Sequence, residues 1–182
     1  MVLQTRTMTA EEFDQWVLLP ENATRSFEFI GGEIVEMVSN NYSSMVAALI
    51  LGELQGFTKG KNLGYLTGAD GGYWVNGERY IPDAAFISKT RQPVPSRDAY
   101  NPNAPDLAVE VLSPSDDPHT TRLKVVNYLL AGTTLWLVDP ERKIVEGYVP
   151  GAAPKTLGLD DTLDGGAHLP GFSLAVKDIF PE

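Results

Sequence analysis

The chain has 182 residues, 24 acidic against 14 basic side chains, a formal net charge of −10 and no cysteine. That length suits one domain spanning residues 1–182, and the absence of cysteine excludes disulfides, thiolate nucleophiles and cysteine-ligated zinc. The charge disfavours strong non-specific attachment to a phosphate backbone, although acids gathered around a metal ion, or a local basic strip, relax that objection. No apolar run reaches the length of a membrane span, and the first residues lack the basic-then-apolar pattern of a signal peptide. A cytoplasmic protein with no membrane partner is the expectation.

Thr9-Ala10-Glu11-Glu12 predicts a capping box opening a short helix through Phe13 and Trp16. Two β-prone runs, Ser26 to Ile30 and Glu33 to Met37, flank Gly31-Gly32 and predict a hairpin. Met45, Leu49, Leu51 and Leu54 recur at helical spacing within a helix over 44–57. Strands are predicted over 63–70, 73–75 and 79–88, then a Pro-, Asn- and Arg-rich loop over 90–105. Asp106 to Leu112 reads as a buried strand. Asp117 as N-cap and Pro118 at the first position open a helix that ends at Gly132. Its apolar residues Leu123, Val125, Val126, Leu129 and Leu130 define the expected core-facing arc, with Lys124, Asn127 and Tyr128 opposite. Two further strands and a Gly- and Asp-rich tail complete an α/β or α+β pattern, a mixed sheet flanked by helices.

Two carboxylates sit where carboxylates are costly. Ile81, Asp83, Ala85 and Ile87 share one strand face, and Asp83 is its only charge. Glu110 lies deep in Leu107-Ala108-Val109-Glu110-Val111-Leu112. Buried acids need a compensating cation. Paired carboxylates with water suit Mg²⁺ (or Mn²⁺). A buried Glu paired with Arg or Lys, or acids on wet edge strands, fit the same residues. Asp106 opens its strand about 13 Å from Glu110, too far for one ion to bridge both.

The run from Asp106 to Ser115, followed by Lys124, Tyr128, Ala131-Gly132 and Trp136-Leu137-Val138-Asp139-Pro140, resembles the Uma family of restriction-type endonucleases. Met8 to Phe13, Phe27 to Met37, Pro82 to Phe86 and Leu169 to Phe172 agree with it, so the resemblance spans nearly the whole chain. That family is similar to the PD-(D/E)XK nucleases. The resemblance implies a restriction-endonuclease-like core with an N-terminal helix and hairpin, and Mg²⁺-dependent hydrolysis of nucleic-acid phosphodiesters, DNA first among them. It assigns Asp83 and Glu110 as metal ligands and catalytic acids. Lys124 stands in for the lysine that usually follows the second acid by two positions, where this chain has Leu112. Glu28 matches an acid of the family's early hairpin, as a further ligand or a contact to metal-bound water; Tyr128, one helical turn on from Lys124, is placed to hold a phosphate or a carboxylate, or to pack. A homodimer is in keeping with enzymes that cut both strands. Family members often carry a histidine near the start of the long helix, where this chain has Tyr42.

By spacing alone Lys124 is a solvated lysine; the resemblance turns it toward a cleft. Lys89, Arg91 and Arg97 are candidate backbone contacts or simply a wet loop. Trp16, Trp74 and Trp136 read as core, and neither His119 nor His168 has a partner at ligand spacing. Two other functions fit the same residues: a binding module on an inactive nuclease fold, and a metal-dependent hydrolase of another phosphoester.

Overall fold

The computed structural model describes residues 8–181. Helix α1 (Ala10–Trp16) carries the expected capping box, Thr9 and Glu12 satisfying each other's backbone N–H groups. Strands β1 (Phe27–Ile30) and β2 (Glu33–Glu36) pair antiparallel around Gly31 and Gly32, whose φ values of 60° and 86° favour glycine. Then come α2 (Asn41–Thr58), β3 (Gly64–Gly68), β4 (Gly72–Val75), β5 (Glu78–Tyr80), β6 (Ala84–Ser88), β7 (Tyr100–Asn101) and β8 (Leu107–Val111). Helix α3 (Pro118–Leu130) precedes β9 (Thr134–Asp139), β10 (Ile144–Tyr148), β11 (Lys155–Leu157), β12 (Thr162–Gly165) and β13 (Leu169–Ala175). A 3-10 turn, Val176–Ile179, follows.

The main sheet is six-stranded and mixed, ordered β11-β10-β9-β8-β6-β3, with β8 and β9 parallel. A second sheet is ordered β2-β1-β5-β4-β7, and β12 pairs with β13. Alternation along β6 and β8 divides the core. Ala84, Phe86, Val109 and Val111 pack with Val46, Ile50 and Leu54 of α2. Ala85 and Ala108 pack on the other face with Tyr128 of α3 and with Ile30 and Tyr80.

Four expectations change. The single strand expected over 79–88 is two strands in different sheets, broken at Ile81-Pro82-Asp83. Proline lacks the N–H that an unbroken ladder requires. On α2 the buried residues are Val46, Ala47, Ile50 and Leu54, while Met45 and Leu49 are exposed. On α3 the buried residues are Lys124 and Tyr128, whereas Leu123 and Val125 are only partly buried and Val126 and Leu130 are exposed, against the expected arc. Trp74 is exposed and carries the Arg79 guanidinium on its ring at 3.9 Å, while Trp136 is buried as expected.

Candidate active site

Sheet register brings the first two acids together. In the antiparallel β6–β8 pair, Ala85 faces Ala108 and Ala84 faces Val109. One step further along that register sets Asp83 across from Glu110, on the face turned toward α3. Asp83 sits just beyond the end of β6, and its Oδ2 accepts from the Val111 N–H at 2.7 Å. The third acid comes from the hairpin. On β1, Phe27 and Phe29 pack with Phe13 and Tyr100, so Glu28 and Ile30 point the opposite way, toward α3.

Helix α3 supplies the cation. Its N-terminus is fixed by Asp117, whose carboxylate accepts from the Thr120 N–H, and by Pro118. Lys124 and Tyr128, one turn apart, then project onto the sheet. Lys124 Nζ donates to Glu110 Oε2 at 2.7 Å and lies 3.0 and 3.1 Å from the two oxygens of Glu28. The Tyr128 hydroxyl donates to Glu110 Oε1 at 2.7 Å. Glu28 Oε1 also accepts from the Ile81 N–H at 2.6 Å. Behind the lysine, Asn127 Nδ2 donates to the Tyr80 hydroxyl, and Asn76 Nδ2 donates to Asn127 Oδ1. Relative exposures are 1 % for Glu28, 9 % for Glu110 and 8 % for Lys124.

Two acids thus share one lysine with a third beside them, and burial shifts their protonation equilibria. Burial, reinforced by the charge of Glu110, pushes the Asp83 carboxyl from 3.8 to about 7. Burial likewise pushes Glu28 to about 7, with Lys124 opposing the rise and Glu110 adding to it. Burial disfavours charge on Lys124, yet the charges of Glu110 and Glu28 outweigh it and hold the ammonium above its ordinary range. Burial and the same two acids raise Tyr128, keeping its hydroxyl a proton donor.

A cleft of about 560 Å³ opens onto Asp83, Glu110 and Lys124, with Leu112, Asp116 and Thr120 among its walls. The resemblance-based residues Glu28, Asp83, Glu110, Lys124 and Tyr128 therefore lie in one cluster. Sequence reasoning missed the Ile81 and Val111 N–H groups and the Tyr80–Asn127–Asn76 chain. Backbone donors leave no mark in side-chain identity, although Asn127 shares a helix face with Lys124.

Other candidates lie elsewhere. Asp106 is buried, accepts from the Ser88 N–H at 2.6 Å and pairs with Arg91 Nε at 2.9 Å. Arg91 also donates to the carbonyls of Ala104 and Pro105, which makes it a loop anchor rather than a phosphate contact. Arg91→Ala is expected to lower stability by about 1–3 kcal/mol by leaving Asp106 with only the Ser88 N–H and the His168 ring beside it, read from urea unfolding, with polynucleotide affinity unchanged. Lys89 bonds Asn62, and Arg97 is an exposed loop residue. His119 is exposed. The Tyr42 hydroxyl donates to the Pro181 carbonyl at 3.0 Å.

A family model described as "Uma2: Putative restriction endonuclease" matches residues 10–177. The chain belongs to the Uma2 family. A crystal structure of a protein from Anabaena variabilis, titled a "putative nuclease", superposes on this Uma2 chain with a TM-score of 0.82. The two are 21 % identical, and the match covers 95 % of this chain and 97 % of that one. No curated protein matches it. No helix among the described residues is long and apolar enough to cross a membrane.

The donor set of this Uma2 protein fits a hard divalent cation. Asp83 and Glu110 offer only oxygen, and the Asp83 carboxyl is raised first by burial and then by the charge of Glu110. Among the described residues no three Asp, Glu, His or Cys side chains converge on one point. Were Asp83 and Glu110 to hold an ion, water and substrate would complete its shell, the mode Mg²⁺ tolerates.

The raised carboxyls have a consequence for stability. From about pH 4 to pH 7 the folded protein keeps a proton at Asp83 that the unfolded chain has released. That contribution is complete below about pH 4 and is lost as pH rises through about 7; Glu28 acts in the same direction. Without divalent cations, the urea midpoint is expected to fall between about pH 5 and about pH 8, and Asp83→Asn to flatten the slope. A midpoint that rises across that range contradicts the assignment.

Proposed function

We propose that this protein is a divalent-cation-dependent endonuclease that hydrolyses nucleic-acid phosphodiester bonds, DNA being the first candidate. Supporting the reading is the juxtaposition of Asp83 and Glu110 across β6 and β8, with Lys124 at 2.7 Å from Glu110 at the floor of an open cleft.

The roles follow from the contacts. Asp83 and Glu110 hold the ion, Mg²⁺ or Mn²⁺. When bound, that ion contributes Lewis acidity at the scissile phosphate and lowers the pKa of water. Glu110 is oriented by Tyr128 and Lys124, each donating to a different oxygen. The Val111 N–H holds one oxygen of Asp83, fixing its rotamer. Lys124 places a permanent positive charge beside the acids, where it offsets charge developing on the phosphate. Because its ammonium is held above the ordinary range, it orients and neutralises rather than accepting a proton.

One observation favours a second reading. Among the described residues, Lys124 is the only Lys or Arg lining the cleft, against the acids Glu28, Glu36, Asp83, Glu110, Asp116 and Asp117. Such a wall attracts a long phosphate backbone poorly, so a small phosphoester is the alternative substrate. Incubation with supercoiled plasmid, labelled oligonucleotides and a small phosphodiester, each with and without Mg²⁺, separates the two. The proposal expects cation-dependent scission of the polynucleotide. Hydrolysis of the small ester alone supports the second reading, and no hydrolysis of any substrate overturns both.

A further inference from the structure

We infer that Glu28 is a positioning residue: it holds the Lys124 ammonium beside Glu110, and through that lysine it sets how tightly Asp83 and Glu110 hold a divalent cation. The inference rests on reading those two acids as the cation-binding pair.

The contacts of Glu28 carry it. Its two oxygens lie 3.0 and 3.1 Å from Lys124 Nζ, and Oε1 is pinned again by the Ile81 N–H at 2.6 Å. At 1 % exposure it is more buried than Glu110. The carboxylate is thus committed to the lysine and the backbone. Lys124 Nζ in turn lies 2.7 Å from Glu110 Oε2, and Tyr128 takes the other oxygen. Any cation held by Glu110 therefore shares that carboxylate with the ammonium, and two positive charges on one carboxylate repel. Glu28 shares the ammonium with Glu110, Nζ lying 3.0 Å from the one and 2.7 Å from the other, and so lessens that competition. Without Glu28 the whole charge of Lys124 falls on Glu110, and a divalent cation meets a carboxylate already neutralised. A direct ligand would affect cation binding whether or not Lys124 is present. A positioning residue acts only through it.

The test is a double-mutant cycle read by calorimetric titration with Mn²⁺ of the wild type, Glu28→Gln, Lys124→Met and the combined variant. Glutamine keeps an oxygen for the Ile81 N–H, so the hairpin anchor survives. Glu28→Gln is expected to weaken Mn²⁺ binding about tenfold in the wild-type background and at most about twofold in the Lys124→Met background. Equal losses in both backgrounds mean that Glu28 meets the ion directly, and overturn the inference. A wild type that binds no Mn²⁺ overturns it together with the cation-site reading; a wild type that binds, with an additive cycle, overturns the role of Glu28 alone. Should a methionine variant fail to fold, ¹H–¹⁵N spectra of the lysine ammonium groups decide. The Lys124 resonance of the wild type is expected to persist and shift on saturation with Mg²⁺, and to broaden away in Glu28→Gln. A resonance indifferent to both changes contradicts the inference.

Discussion

Lys124→Met is expected to destabilise the fold by about 3–5 kcal/mol at pH 8, the range for breaking a buried ion pair by removing one partner. Methionine nearly matches the lysine stem in volume, so the loss reflects charge rather than a cavity. Glu28 and Glu110 would be left 1 % and 9 % exposed with no cation between them. The loss should shrink as pH falls, because a carboxyl pushed up to about 7 takes up a proton readily. Urea unfolding at about pH 8 and about pH 5.5 measures both. A variant as stable as the wild type at both values would mean that the lysine does not compensate these acids. Cation-dependent cleavage, where the variant folds, should drop by about a hundredfold or more.

Asp83→Asn is expected to move stability and activity in opposite directions. Asparagine keeps an oxygen for the Val111 N–H but removes a charge that burial and Glu110 both oppose. At about pH 8 the variant should be more stable than the wild type by about 1–3 kcal/mol in the absence of divalent cations. Its cleavage rate should fall by about a hundredfold or more, because a neutral amide is a poor ligand for a hard cation. The pairing of gain with loss is the signature of a site whose charge is assembled for function at the cost of the fold. An equally active Asp83→Asn protein would remove the acid from the mechanism.

Much of the fold was legible in the chain. Two β-prone runs around Gly31-Gly32 specified the hairpin, and the capping box and Asp117-Pro118 specified helix starts. Asp83 stood out as the only charge on its strand face, and Glu110 as an acid deep in an apolar run. The buried face of α3 was not legible. A periodicity argument assigns apolar residues to the core, and here the core-facing residues are a lysine and a tyrosine. The lysine is paired there with Glu28, which lies 96 residues earlier, on β1 of the second sheet. No local pattern encodes such a partnership. Pro82 was read as part of a motif and not as a strand break, although a proline inside a strand run argues for one. Arg91 was ambiguous for a related reason: its partner Asp106 joins it only through the pairing of β6 with β8.

The central claim is that Asp83 and Glu110 together hold a divalent cation. Calorimetric titration with Mg²⁺ and Mn²⁺ of the wild type, Asp83→Asn and Glu110→Gln, with and without a short DNA duplex, tests it most directly. The account predicts saturable binding by the wild type and its loss in both variants. Wild-type protein that binds neither ion even with DNA present, or variants that bind as tightly as the wild type, would contradict it.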